Sequence, residues 1–182
     1  MSRYDRLMDR VARGERILID GAEEQAAIMA EADADLLTLE MMVDLERMTV
    51  LLDAAQTSDL PVWVGLSCER ETGGTVRLAR GGRLADARSV ATQKAAPLVT
   101  IMHTEVEDVG ACLDLVDAHW TGPVGVYAHS ARWEGQVGIF DQTVPPDACA
   151  EYARSWLTRG VQVIGGGCGL GVDHIKALKP LV

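Results

Sequence analysis

An α/β fold built on a parallel sheet is predicted by three observations. Six short runs are almost wholly apolar, segments of helical period separate them, and polar or acidic residues stand at the C-terminal end of nearly every run. Arg16 to Asp20 (RILID) is the first such run, and the Ala/Glu/Gln/Met-rich stretch Glu23 to Glu31 behind Gly21 favours helix. Asp35 to Leu39 (DLLTL) is the second strand, ending at Glu40, and Asp44 to Ala55 is an amphipathic helix opened by an Asp cap. Pro61 to Leu66 is the third strand. The Gly-rich stretch Glu71 to Gly82 is a loop by composition, and a helix from about Leu84 to Thr92 follows it. Leu98 to His103 (LVTIMH) is the fourth strand, Val106 to Trp120 a helix, and Pro123 to Tyr127 (PVGVY) the fifth strand. A long loop through Trp133 and Pro145-Pro146 leads to a helix over Asp147 to Arg159. Gln162 to Gly166 is the last strand, and a Gly-rich turn opens the closing helix Val172 to Leu178.

Composition bounds the function. A chain of 182 residues, 48% hydrophobic and 24% charged, has enough apolar material for the core of a single domain over 1–182. Lys+Arg 17 against Asp+Glu 27 gives a net charge of −10, which argues against nucleic acid and anionic membrane partners. The charged N-terminal stretch has no signal-peptide character and no segment has spanning length, so a cytoplasmic location is expected. Cys68, Cys112, Cys149 and Cys168 form no CxxC pair and are expected as thiols.

In parallel α/β sheets chemistry collects at the C-terminal strand ends. Asp20, Glu40, Ser67, Cys68, His103, Thr104, Tyr127, His129, Gly167 and Cys168 stand at those ends. Cys112, Cys149 and His119 fall within helices, where a small core residue or a surface imidazole is the ordinary reading. His174 reads as a packing residue at the start of the last helix. Cys168 lies among glycines, Gly165-Gly166-Gly167-Cys168-Gly169, where other groups can approach the sulfur closely, although a buried inert thiol is an equal reading. Taken singly, His103 reads as a satisfied core histidine, and Asp20 and Glu40 as helix-capping carboxylates. Four such residues on one face point jointly to a site.

The stretch EYARSWLTRGVQVIGGGCGLGVDHIKAL, residues 151–178, resembles the C-terminal signature of the homocysteine S-methyltransferase family, a Trp-containing helix followed by I-G-G-C-C-G and an H-I helix. ILIDGA at 17–22 is similar to the family's first-strand D-G-A, and ADADLLTLEMMVDLE at 32–46 to its strand ending in E-T/M-M. PVWVGLS at 61–67 and PVGVYAHS at 123–130 also match, so the resemblance covers most of the chain.

The resemblance implies a TIM-barrel-like parallel βα repeat, shortened here to six strands, since a complete barrel takes roughly 250 residues. The unpaired edges of such a sheet imply a homo-oligomer. It also implies zinc-dependent methyl transfer to a thiol such as homocysteine from a sulfonium or related donor. The metal is held in the family by three thiolates and activates the acceptor thiol. By position the ligands here become His103 and Cys168, with Gly167 in place of one cysteine, so a weak or vacant zinc site is expected. Cys68 and His129 are further donors near strand ends, with no family motif behind them. Asp20 and Glu40 are then the groups that orient the amino acid through its ammonium. The alternative is a catalytically inactive relative that keeps the scaffold as a small-molecule binding or assembly module.

Overall fold

A computed structural model describes residues 20–117, 120–134 and 137–182. The expected strand Arg16 to Asp20 lies outside the described residues except for Asp20, as does His119. Asp20, expected at the end of the first strand, is instead helical: helix α1, described over residues 20–31, leads to β1 (Leu37–Met42) and α2 (Leu45–Gln56). The expected Asp44 cap forms, with its carboxylate accepting from Arg47 N at 2.8 Å. Next come β2 (Val62–Arg70), β3 (Val76–Leu78), α3 (Leu84–Gln93), β4 (Val99–Glu105), α4 (Val109–Asp117) and β5 (Val124–His129). A hairpin of β6 (Arg132–Glu134) and β7 (Val137–Ile139), then α5 (Pro146–Thr158), β8 (Val163–Gly166) and α6 (Val172–Leu178) complete the chain order.

The strand order β1-β2-β4-β5-β8 is parallel throughout, as apolar runs joined by helices require. The sheet does not close among the described residues. Three expectations are corrected. The Glu71–Gly82 loop contains β3, which folds back antiparallel on β2 with Cys68 opposite Leu78. The loop after Tyr127 contains the β6–β7 hairpin. The fourth helix starts at Val109 instead of Val106, because β4 continues to Glu105 and Val106 N bonds His129 O at 3.1 Å.

Alternation places Val62, Val64, Leu66, Val99, Ile101, Val126 and Ala128 on the helix-covered face, all essentially inaccessible. They pack with Met48 and Leu52 of α2, Ala87 and Ala91 of α3, Leu113 and Val116 of α4, and Ala153 and Trp156 of α5. Burial of each large aliphatic side chain contributes roughly 1.5–3 kcal/mol, so this convex layer holds the fold. The opposite, concave face carries Thr38, Glu40, Trp63, Thr100 and Tyr127, which border an open cleft of about 380 Å³. Among the described residues no helix is long and apolar enough to cross a membrane.

Candidate functional site

Two irregularities interrupt the parallel ladder, both at C-terminal strand ends. Between Leu39 and Met42 of β1, and between Met102 and Glu105 of β4, the strand carries one residue more than its partner. Each bulge holds a non-glycine residue in the left-handed region, Met41 at φ 58° and His103 at φ 42°. Such a conformation persists where neighbours over-determine it. Around His103 they do: buried Ser67 donates its hydroxyl to His103 O at 3.0 Å, and buried Thr104 donates to Met102 O at 2.9 Å while accepting from Cys68 N at 3.0 Å.

The β4 bulge changes what faces β5. Met102 pairs with Tyr127, so an uninterrupted ladder would set Thr104 against His129; the extra residue sets Glu105 there instead. His103 and His129 meet edge to face, with centroids 4.3 Å apart and planes at 86°. Their Nδ1 atoms are 2.7 Å apart, and His129 Nε2 lies 2.9 Å from Glu105 Oε1. On the other side, His103 Nε2 is 3.7 Å from Sγ of Cys168, which is exposed just beyond β8. Gly167 N bonds Ala128 O at 2.7 Å and Ser130 N bonds Cys168 O at 3.0 Å, tying the glycine-rich turn to the end of β5.

Burial, and then the neighbouring His103 ring, push His129 down to about 4, so it is neutral near pH 7. Burial raises Glu105 above the ordinary carboxylate range, against the lowering effect of a hydrogen bond from the Ala131 backbone. Next to the cluster is a cleft of about 380 Å³ whose border includes Met41, Ser67, Cys68, Arg70, His103, Glu105 and His129.

The structure thus brings His103 and Cys168 together, and adds His129 and Glu105. Sequence reasoning named His129 only as a spare donor and missed Glu105, whose approach depends on a bulge that no local pattern announces. Glu40 stands apart from this cluster, exposed on β1, where it borders the concave cleft with Tyr127. Burial, with the Glu40 carboxylate adding to it, pushes the Tyr127 hydroxyl up to about 12. Asp20 is exposed at the start of α1 and lines neither of the clefts that Glu40 borders. The Cys68 side chain packs in the core on the helix side of β2, and its nearness, together with burial, raises the thiol of buried Cys112 of α4; Cys149 is buried in α5. His174 is structural: its Nδ1 accepts from Gly171 N at 3.1 Å and its Nε2 donates to Val144 O at 2.7 Å.

A zinc ion held by this chain's own residues needs at least three donors. His103 Nε2 and Cys168 Sγ supply two, and among the described residues no three His, Cys, Asp or Glu side chains are grouped to hold a metal. His129 adds no third donor here, because its two nitrogens face His103 and Glu105. Among the described residues the donor set does not fit the metal that the resemblance implies.

Residues 3–182 match the protein family described as homocysteine S-methyltransferase. The fold is similar to that of the homocysteine methyltransferase MmuM from Escherichia coli. Its metallated form superposes with a TM-score of 0.69 at 19% identity, covering 90% of this chain and 52% of that one. The oxidized form gives 0.70 at 19% identity over 90% and 52%, and the apo form 0.71 at 19% over 92% and 57%. The chain spans about half the length of these solved structures. No curated protein sequence matches it.

Proposed function

The chain belongs to the homocysteine S-methyltransferase family, and from that membership we propose that it handles the thiol of a small methyl acceptor such as homocysteine at the Cys168–His103 cluster. The observation that carries this reading is the meeting of His103 and Cys168 at the C-terminal edge of the sheet, where parallel α/β folds place their chemistry. A free thiol is largely protonated at neutral pH, with a pKa of about 8.5, and methyl transfer needs the thiolate. His103 Nε2 takes the proton of an acceptor thiol bound beside it. The new S–CH₃ bond then forms as the donor's sulfonium–CH₃ bond breaks, and the donor leaves as a neutral thioether. Glu40, beside Tyr127 in the concave cleft, attracts the ammonium of an amino-acid acceptor, and Asp20, exposed in α1, adds to the negative charge that does so.

The test is transfer of labelled methyl from a methylsulfonium amino acid to homocysteine. His103→Ala is expected to lower the rate by about a hundredfold or more with folding intact. Glu40→Gln is expected to weaken acceptor binding about tenfold. A second reading, an inactive relative that binds a small molecule, is favoured by the two-donor count and by Gly167. Homocysteine binding by calorimetry without any methyl transfer would establish it in place of the first.

A further inference from the structure

We propose that Met102 is a positioning residue for the acceptor's ammonium: its thioether sulfur, passing over Gly65, holds the β1 bulge at Met41 and the Tyr127 hydroxyl, and so sets where Glu40 stands. The sulfur accepts from Met41 N at 3.0 Å and from the Tyr127 hydroxyl at 3.3 Å. A thioether is a weak acceptor, but a hydrocarbon side chain of the same size accepts nothing. In the sheet β2 lies between β1 and β4, so the buried Met102 side chain has to cross a whole strand to reach Met41. It crosses at a glycine. A Cβ on Gly65 would fall 2.9 Å from the Met102 sulfur and 3.1 Å from its Cγ, closer than packed atoms stand. A long, unbranched side chain at position 102 and none at position 65 therefore work together.

The register shows what this contact holds. Leu39 pairs with Val64 and Met42 with Leu66, so Glu40 and Met41 both stand against Gly65, where a regular ladder has room for one residue. Met41 takes the left-handed conformation at φ 58°, which surrounding groups must hold in a residue other than glycine. The Met102 sulfur is the group that binds its amide. With the bulge pinned, Met41 borders the cleft beside His103, while Glu40 borders the concave cleft with Tyr127, the second group that the sulfur holds. The main chain of Met102 opens the β4 bulge that carries His103, and the Thr104 hydroxyl donates to its carbonyl at 2.9 Å. One residue thus ties the strand end bearing Glu40 to the strand end bearing His103. The service to an ammonium rests on the proposed reading of Glu40, whereas the hold on the β1 bulge stands on geometry alone.

The experiment is NMR and calorimetry of the full chain. Met102→Leu and Met102→Ile keep apolar bulk and remove the acceptor, an exchange that cores tolerate, so at least one folded variant is expected by thermal unfolding. Met102→Gln keeps the length and puts an amide oxygen where the sulfur was. In the parent the Met41 amide is expected to exchange slowly with solvent, and a nuclear Overhauser contact to join Glu40 to the Tyr127 ring. Removing the acceptor is expected to speed Met41 exchange at least tenfold and to weaken that contact, with the Val126 amide in mid-sheet unchanged. It is also expected to raise the dissociation constant for homocysteine about tenfold. Met102→Gln is expected to bring all three back toward the parent. Met41 exchange that stays slow in a folded Leu or Ile variant overturns the proposal. So does a freed amide with the Glu40 contact and the homocysteine affinity unchanged, or a loss that Met102→Gln does not recover. A parent that shows both NMR signatures and binds no homocysteine overturns the functional reading of Glu40 and leaves the positioning by Met102 supported.

Discussion

Sγ of Cys168 lies 3.7 Å from Nε2 of His103 although 65 residues separate them in the chain. Two donors at such a spacing forgo the chelation that three or four would give a zinc ion. Position 167 is where a third donor can be added. A Cβ there meets Ala128 O at 3.2 Å, a tight contact with backbone, and no left-handed φ forbids a side chain. Gly167→Cys is expected to fold at a cost of about 1 kcal/mol and to raise zinc content per chain above that of the parent. Metal analysis of both proteins checks this. Full occupancy in the parent would show that a donor outside the described residues or on another copy completes the site.

Gly169 is a different kind of glycine. It sits at φ +79°, and a Cβ would fall 2.0 Å from Ser130 O, inside any permissible contact. Gly169→Ala is therefore expected to destabilise the chain by about 3 kcal/mol or more, lowering the melting temperature by roughly 10 °C in a domain of this size. An unchanged melting curve would show that the turn carrying Cys168 is not packed against β5 as described.

The depressed value of His129 makes a prediction for stability against pH. Its folded value of about 4 lies below the ordinary 6.5, so between these limits the unfolded chain binds more protons than the folded one. The contribution is fully present above pH 6.5 and is lost as pH falls toward 4, by up to about 3 kcal/mol. Denaturant titrations at a series of pH values should show this loss in the parent and a flatter profile in His129→Gln. Parallel profiles would place the acid sensitivity elsewhere.

The edges of the sheet among the described residues are β1 and β8, and the concave face between them is open. Unpaired edges and uncovered apolar surface favour association, so sedimentation is expected to give a species heavier than the 19.6 kDa chain. A monomer at every concentration would refute the expected homo-oligomer.

Element type and order were legible in the residues because they are short-range properties. Runs such as Val62–Leu66 are apolar on both faces, and the segments between them repeat with helical period, so the parallel sheet and its helix-covered core follow from pattern. The resemblance likewise named His103 and Cys168 as a pair, which the fold brings within 3.7 Å. Other features only the tertiary structure decided. The β3 strand and the β6–β7 hairpin are three residues each, too short for periodicity to distinguish from loop. The β4 bulge is a mismatch in register between two strands and exists only once both are paired. With it came Glu105 opposite His129, the turning of His103 toward Cys168, and the exclusion of Cys68, which alternation along β2 sends to the helix side. Register is a relation between distant segments, and for that reason the partners of His103 were not written in the sequence around it.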